Sequence, residues 1–238
     1  MALTYTTFVE TIANLLVVPV SDANFQADIP NIIDDAELRI YRELDLLNTV
    51  TRDSSAAVSI STRTFNLPSS NGTFVTVQDI NIITPAGTVD PESGTRNSLL
   101  PASKEMLDAL YPNSTGSTVP QYFAMVSQST VVLGPWPAAA YQAEVVGTIR
   151  PTPLSGSNLT TLLSVYFPDL LIAAAMVRGA AYLQNYGSAV DDPKMGITWE
   201  AHYQSLVQPS QIEEARKKFT SQGWSPMQPA PLATPPRT

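Results

Sequence analysis

His202 is the only imidazole in this chain of 238 residues, and cysteine is absent. A single histidine without thiolates cannot assemble a zinc site or an ordinary nucleophile–histidine triad. Three close carboxylate pairs are candidates for chemistry: Asp34 with Asp35, Asp191 with Asp192, and Asp90 with Glu92. Such pairs could hold a hard cation or divide acid and base roles between them. The two Asp-Asp pairs, however, fall at or near predicted helix starts, where free N–H groups favour anions without any chemistry. Asp90 and Glu92 lie in a proline-containing polar loop. Arg216-Lys217-Lys218 is the basic cluster, at the end of a predicted helix, where cations offset the helix dipole. Its functional use would be contact with an acidic partner surface. No phosphate loop, nucleophile elbow, metal-ligand spacing or dinucleotide glycine pattern is present. The expectation is a protein of architecture, not an enzyme, with no metal and no cofactor.

The composition agrees. Only 14% of residues are charged, against roughly 25% in ordinary soluble domains. A surface short of charge suits a protein that hides much of its outside against partners. The net charge of −8 argues against gripping nucleic acid, yet lets a polyanion slide past. The N-terminus lacks the basic, apolar and small-residue succession of a signal peptide. The apolar run LLIAAAMV, residues 170–177, is too short to cross a bilayer.

The elements that would position these residues fall into three stretches. Thr7-Phe8-Val9-Glu10 reads as a capping box, with Phe8, Ile12, Leu15 and Leu16 on one helical face. A second helix is predicted from about Asp28, with Pro30 in its first turn and an apolar stripe through Ile29, Ile33, Ala36, Ile40, Leu44 and Leu47. Asp35, Arg39 and Glu43 are spaced for ion pairs four apart. From Val50 the period shortens. Segments such as TFVTVQDINIIT, separated by Gly, Pro, Asn and Ser, predict an antiparallel β unit. Ser103 would cap a short helix within it, and the loops GTVDPESGTRNS and NSTGST interrupt it. Helix returns at Phe167, with Pro168 and Asp169 in a first turn and Gly187 as a stop. Another helix is predicted from Asp192-Pro193, with Met195, Trp199, Tyr203 and Leu206 in register, Pro209 interrupting it and Ser210 to Glu213 forming a new capping box.

The chain thus leaves a helical layer and returns to it. The expected fold is α+β: an antiparallel helical bundle from residues 1–49 and 166–220, an inserted β-sandwich or barrel-like unit at 50–165, and an extended arm at 221–238. The arm carries five of the twenty prolines and cannot be a regular helix. Trp224, Met227 and Leu232 make it an extended segment with apolar anchors, ordered when docked.

The stretch LGPWPAAAYQAEVVGTIRPTPLS, residues 133–155, reads as a proline-closed hairpin that carries almost no chemistry. Together with Pro120 and Tyr122, the Leu133-Gly134-Pro135 and Pro137 turn, Tyr141, the Arg150-Pro151 exit and the helix opening Pro168-Asp169-Leu170-Leu171, it resembles the head-to-tail adaptor proteins of tailed bacteriophages. The capped N-terminal helix and the Ile32–Leu47 helix are similar to that family as well. The resemblance implies a structural virion protein: a ring, usually of twelve copies, between the portal and the tail nozzle or fibre proteins, with DNA passing through its channel. It implies assembly in the host cytoplasm, a place at the head-to-tail interface of the virion, and no membrane. Trp224, Met227 and Leu232 would enter portal clefts, with Arg216, Lys217 and Lys218 at that rim. Ile33, Ile40, Ala174, Gly179 and Trp199 are expected to pack copies together. Two other readings remain at this point. One is a receptor- or carbohydrate-binding tail module using the Ser/Thr-rich loops. The other is a hydrolase built on Asp90 and Glu92.

Overall fold

The computed structural model describes residues 3–185 and 195–221. Helix α1 spans Tyr5–Leu16, and its cap lies one turn earlier than the Thr7–Glu10 box. The Thr4 hydroxyl accepts the Thr7 N–H while the Thr7 hydroxyl accepts the Thr4 N–H at 2.9 Å, a reciprocal box of two threonines. Phe8, Ile12 and Leu16 are buried as expected, whereas Leu15 faces outward. Helix α2 spans Ala23–Glu43 and also starts early, because the Asp22 carboxylate accepts the N–H groups of Asn24 and Phe25 at 3.0 and 2.9 Å. Pro30 is therefore inside this helix, not in its first turn. It is exposed, and burial of Ile29, Ile32 and Ile33 on the other side holds the helix together across it.

The strands follow: β1 (Val50–Val58), β2 (Thr64–Asn66), β3 (Gly72–Thr84), β4 (Thr95–Ser98), β5 (Leu100–Pro101), β6 (Tyr122–Met125), β7 (Thr130–Gly134) and β8 (Tyr141–Pro151), with helix α3 (Lys104–Leu110) before β6. Ser103 caps α3, as predicted, by accepting the Met106 N–H. Part of the expected 87–98 loop is strand β4. The strands form two four-stranded sheets, in the orders β1-β8-β3-β4 and β2-β7-β6-β5. Every pairing is antiparallel except β5 with β6. The expected hairpin is thus corrected: β7 and β8 pair with different sheets, and the turn through Pro135 and Pro137 carries the chain from one sheet to the other. Phe65, Phe123, Val131 and Leu133 of one sheet share a core with Val58, Ile80, Ile82, Ala143 and Val145 of the other. On its far side the second sheet is covered by α3, where Leu107 packs on Ala124 and Val132.

The chain re-enters the helical core earlier than residue 166. Leu154 and Leu163, the latter in α4 (Leu162–Tyr166), are buried with the helices rather than the strands. Helix α5 (Pro168–Asn185) is the hub, contacted by α1, α2, α4 and α6 (Met195–Ser221). Its buried face alternates large and small residues, Leu170, Leu171, Ala173, Ala174, Ala175, Met176 and Ala180, so neighbours approach closely. At Gly179 a Cβ would lie 3.1 Å from both terminal methyls of Leu16 in α1.

Pro209 does not interrupt α6, and no new capping box forms after it. Tyr203 and Val207 before it and Glu214 after it are all buried, and this packing outweighs the roughly 3 kcal/mol cost of an internal proline. Ser210 instead donates its hydroxyl to the Leu206 carbonyl at 2.8 Å. The expected stop at Gly187 and the start at Asp192-Pro193 lie outside the described residues.

Candidate functional site

The residues singled out for chemistry are used as structure. Asp90 caps a single turn at Pro91–Ser93, accepting from the Glu92 N–H and the Ser93 hydroxyl at 3.1 and 2.8 Å. Those bonds hold its carboxyl below the usual range. Glu92 turns away to Arg96 at 2.6 Å, and Arg96 also reaches the buried Glu144 at 3.1 Å. The two acids are therefore spent on separate partners. His202 is exposed and sets its ring edge-on against Trp199, with centroids 5.8 Å apart. Asp35 pairs with Arg178 of α5 at 3.2 Å, not with Arg39. Asp34 and Asp35 sit mid-helix in α2, away from its start. Asp191 and Asp192 lie outside the described residues. Among the described residues no group of three His, Asp or Glu side chains could hold a metal ion, and no helix is long and apolar enough to cross a membrane.

What the geometry builds instead is a joint that ties α2 and α6 to each other and to the two chain crossings that lead to and from the strands. Arg39 of α2 grips Glu200 of α6 with both terminal nitrogens, at 2.7 and 2.6 Å, and Glu43 with its Nε at 3.0 Å. The Tyr203 ring lies 4.0 Å below the guanidinium, and its hydroxyl donates to Glu43 at 2.8 Å. This two-pronged bond pulls the Glu200 carboxyl down to about 2 and raises Arg39 further. Lower on α6, the buried Glu214 accepts the Leu47 N–H at 2.9 Å. Lys217 bridges Glu213 and Glu214 and hangs over the Phe167 ring at 5.2 Å, while Lys218 pairs with Asp45. On the other crossing, Glu37 of α2 is 3% exposed, and its Oε1 accepts the Leu154 N–H at 3.3 Å and the Thr161 hydroxyl at 3.2 Å. Burial pushes its carboxyl up to about 7, against those two hydrogen bonds.

Two groups of expected site residues change meaning. Lys217 and Lys218 are bound into this joint, so their charges serve the protomer before any partner. Ile33, Ile40, Ala174 and Gly179 lie in the chain's own core, which corrects their expected role between copies: their apolar area is already covered. Trp199 is partly buried against the same core. Trp224, Met227 and Leu232 lie outside the described residues. The joint itself escaped the sequence reading. One signal was available: Glu37 stands at i+4 from Ile33 and one residue after Ala36, an acid inside an apolar stripe.

The sequence model of the SU10 adaptor protein family matches residues 3–229, nearly the whole chain. The chain belongs to the SU10 adaptor protein family. Membership covers the helices on both sides of the strands as well as the strands themselves, and it agrees with the resemblance to phage head-to-tail adaptors carried by residues 120–187. It identifies a structural phage protein of the junction between head and tail. No curated protein matches the chain.

Proposed function

We propose that this SU10-family chain assembles as a ring that joins the portal to the tail and lets DNA pass through its centre. The observation that carries the reading is the family match over residues 3–229, which includes the helical layer, the strand unit and the start of the arm. A ring needs two unlike patches on each copy. The chain offers candidates in Val17 and Val20 at the α1–α2 turn, and in Ile197 and Ile212 along α6, all apolar and exposed. These replace the buried residues first expected to pack copies together. Twelve copies is the number the resemblance favours. The arm, through Trp224, Met227 and Leu232, is the portal-binding element, and Arg216 stands at its root.

The acid balance supports passage of DNA. Residues 3–49 carry eight carboxylates and two guanidinium groups, a wall that repels phosphate rather than holding it. The test is electron microscopy of the chain mixed with its own portal. The expected image is a ring seated on one end of the portal, lost when residues 222–238 are deleted while the helical circular dichroism stays intact. Portal-bound rings of that truncated chain would remove the arm from the reading, and a chain that never joins a portal would remove the reading itself.

A further inference from the structure

The turn between α1 and α2 carries a side chain that its own protomer does not use. Helix α1 closes with the Val18 N–H on the Ala13 carbonyl at 2.9 Å and the Val17 N–H on that of Asn14 at 3.3 Å. This closure puts Val17 in the left-handed region, at φ 57° and ψ 38°. Glycine is the usual residue there. A β-branched residue in that conformation is a genuine outlier, because its Cβ crowds the following carbonyl oxygen. Burial does not offset the strain: Val17 is 83% exposed, whereas its neighbour Val18 packs on the helical core. The backbone bonds would form equally well with glycine, so the valine side chain has no task inside the protomer. Pro19 and Val20, both exposed, extend the apolar knob.

The other end of α2 holds a receptacle. A cleft of about 390 Å³ lies between the end of α2 and the strands, with Tyr41 and Val75 on its apolar side. Its charged lining is Arg42, Glu43, Asp45 and Arg150. Both acids are already paired, Glu43 with Arg39 and Asp45 with Lys218. Arg150 also borders a smaller cleft with Asp34 and Glu37. Even so, neither Arg42 nor Arg150 has an ion pair or side-chain hydrogen bond among the described residues. Two uncommitted guanidinium groups in a chain of net charge −8 favour a negative occupant. The knob is negative. Helix α1 has no basic residue in its last turn to offset the negative end of its dipole, and the Asp22 carboxylate stands at the foot of the same turn.

We propose that the Val17–Val20 knob of one copy seats in the Arg42–Arg150 cleft of the next. The contact rests on the ring reading and gives it the two unlike patches that head-to-tail assembly needs. Knob and cleft sit at opposite ends of α2, whose 21 residues span about 30 Å. They cannot meet within one chain, so the contact passes from copy to copy. Exposed Ile197 and Ile212 of α6 are the competing seat.

Two experiments on the full chain test it. Val17→Gly removes the side chain and the strain together, and the relief exceeds what glycine costs in chain entropy. It should raise the thermal midpoint by about 2–4 °C. It should also weaken ring formation on the portal about 10-fold or more, the weight of one valine buried at each contact. A lower midpoint would mean that Val17 serves its own protomer, and unchanged ring formation would remove it from the interface. Either result overturns the proposal.

The chain has no cysteine, so introduced thiols are the only ones that a short bis-maleimide can join. In portal-seated rings, Val20→Cys with Val75→Cys should give a ladder of linked copies, and Val20→Cys alone should give none. Adding Arg42→Gln and Arg150→Gln should slow the ladder about 3- to 10-fold, the weight of two partly exposed charge contacts. Dimers from Val20→Cys alone, a ladder only from Val20→Cys with Ile212→Cys, or indifference to the arginine changes would each overturn the seat. Micrographs of the same samples separate the two readings. Rings without a link between positions 20 and 75 remove the seat and leave the ring, while a parent chain that forms no rings removes both.

Discussion

Around α5 the buried side chains are almost all apolar and many are small, and the neighbouring helices meet it through Phe8, Ile12, Phe25, Ile33 and Tyr203. Across the strands a different device appears. Asp53 takes the Ser55 N–H and hydroxyl, the Ser70 hydroxyl and the Asn71 amide, and so ties β1 to the loop before β3. Glu144 of β8 meets Asn81 of β3 and Arg96 of β4, with Arg52 of β1 at 3.8 Å. Buried acids in the strand unit therefore fasten strands to one another and to an adjoining loop, mostly through side chains. The two in the helical layer, Glu37 and Glu214, instead accept backbone N–H groups from the two crossings between the regions. One region is packed by volume and fastened at its border by carboxylates, while the other is laced through its outer face. Each should fail in its own way.

The largest expected effect tests whether the two regions also fail separately. Leu170→Ala at the hub should cost about 2–5 kcal/mol. Trp136 reports on the strand unit, where its indole N–H donates to the Tyr111 carbonyl, and Trp199 on the helical layer. In two single-tryptophan chains, one with Trp224→Phe and Trp136→Phe and one with Trp224→Phe and Trp199→Phe, the Trp199 transition should move to lower denaturant while that of Trp136 stays. Equal movement of both would merge the regions into one cooperative unit.

Next comes the border. Glu37 holds its proton up to about 7 in the folded chain, against an ordinary value of 4.5. The folded state thus binds the extra proton between those values. The associated stability is complete below 4.5 and is lost as pH rises through about 7, a total on the order of 3 kcal/mol. Glu37→Gln keeps the acceptor for Leu154 and Thr161 but cannot ionise. Its stability measured from pH 4.5 to 8 should lack that decline and exceed the parent's at the upper end. A parallel slope in both proteins would mean that Glu37 is ionised throughout.

In the strand unit, Arg96→Met should destabilise, because it removes the nearest cation from the buried Glu144, but by less than stripping that charge of every partner, since Asn81 and the more distant Arg52 remain beside it. The double change Arg96→Met with Glu144→Leu should recover most of the loss in urea melts, as apolar replacement of a buried pair often does. Failure to recover would show that the network sets the strand register rather than merely neutralising a charge.

The same contrast explains what the sequence made legible. Helices around the hub announce themselves through apolar residues three and four apart, so α1, α2 and α5 could be placed, and Ser103 marked α3. Caps were harder: Thr4–Thr7 and Thr7–Glu10 are both plausible boxes, and backbone bonds from Leu3 to Ser164 and from Tyr5 to Leu159 hold the earlier start. Pro30 and Pro209 looked like boundaries because local preference was read without the burial that overrides it. In the strands, neighbours in sequence need not be neighbours in space, and the chain's change of sheet at Pro135 leaves no local trace. The joint was least legible. Asp45 with Lys218 and Arg39 with Glu200 are partners more than 150 residues apart, and nothing in their spacing predicts the meeting.

The smallest effect is the sharpest probe of packing by volume. Gly179 lies in α5, where alanine would gain about 1 kcal/mol of helix propensity. The new Cβ would stand 3.1 Å from the Leu16 methyls, tighter than ordinary contact, and Leu16 is itself buried. The two terms oppose each other, so Gly179→Ala alone should change stability by less than about 1 kcal/mol. Leu16→Ala removes those methyls, and on that background Gly179→Ala should stabilise by the full propensity gain, about 1 kcal/mol. A thermodynamic cycle over the four proteins reads the coupling directly. If Gly179→Ala has the same effect with and without Leu16, the close approach of α1 to α5 does not govern this position. The thin face of α5 would then owe its small residues to something other than the helix beside it.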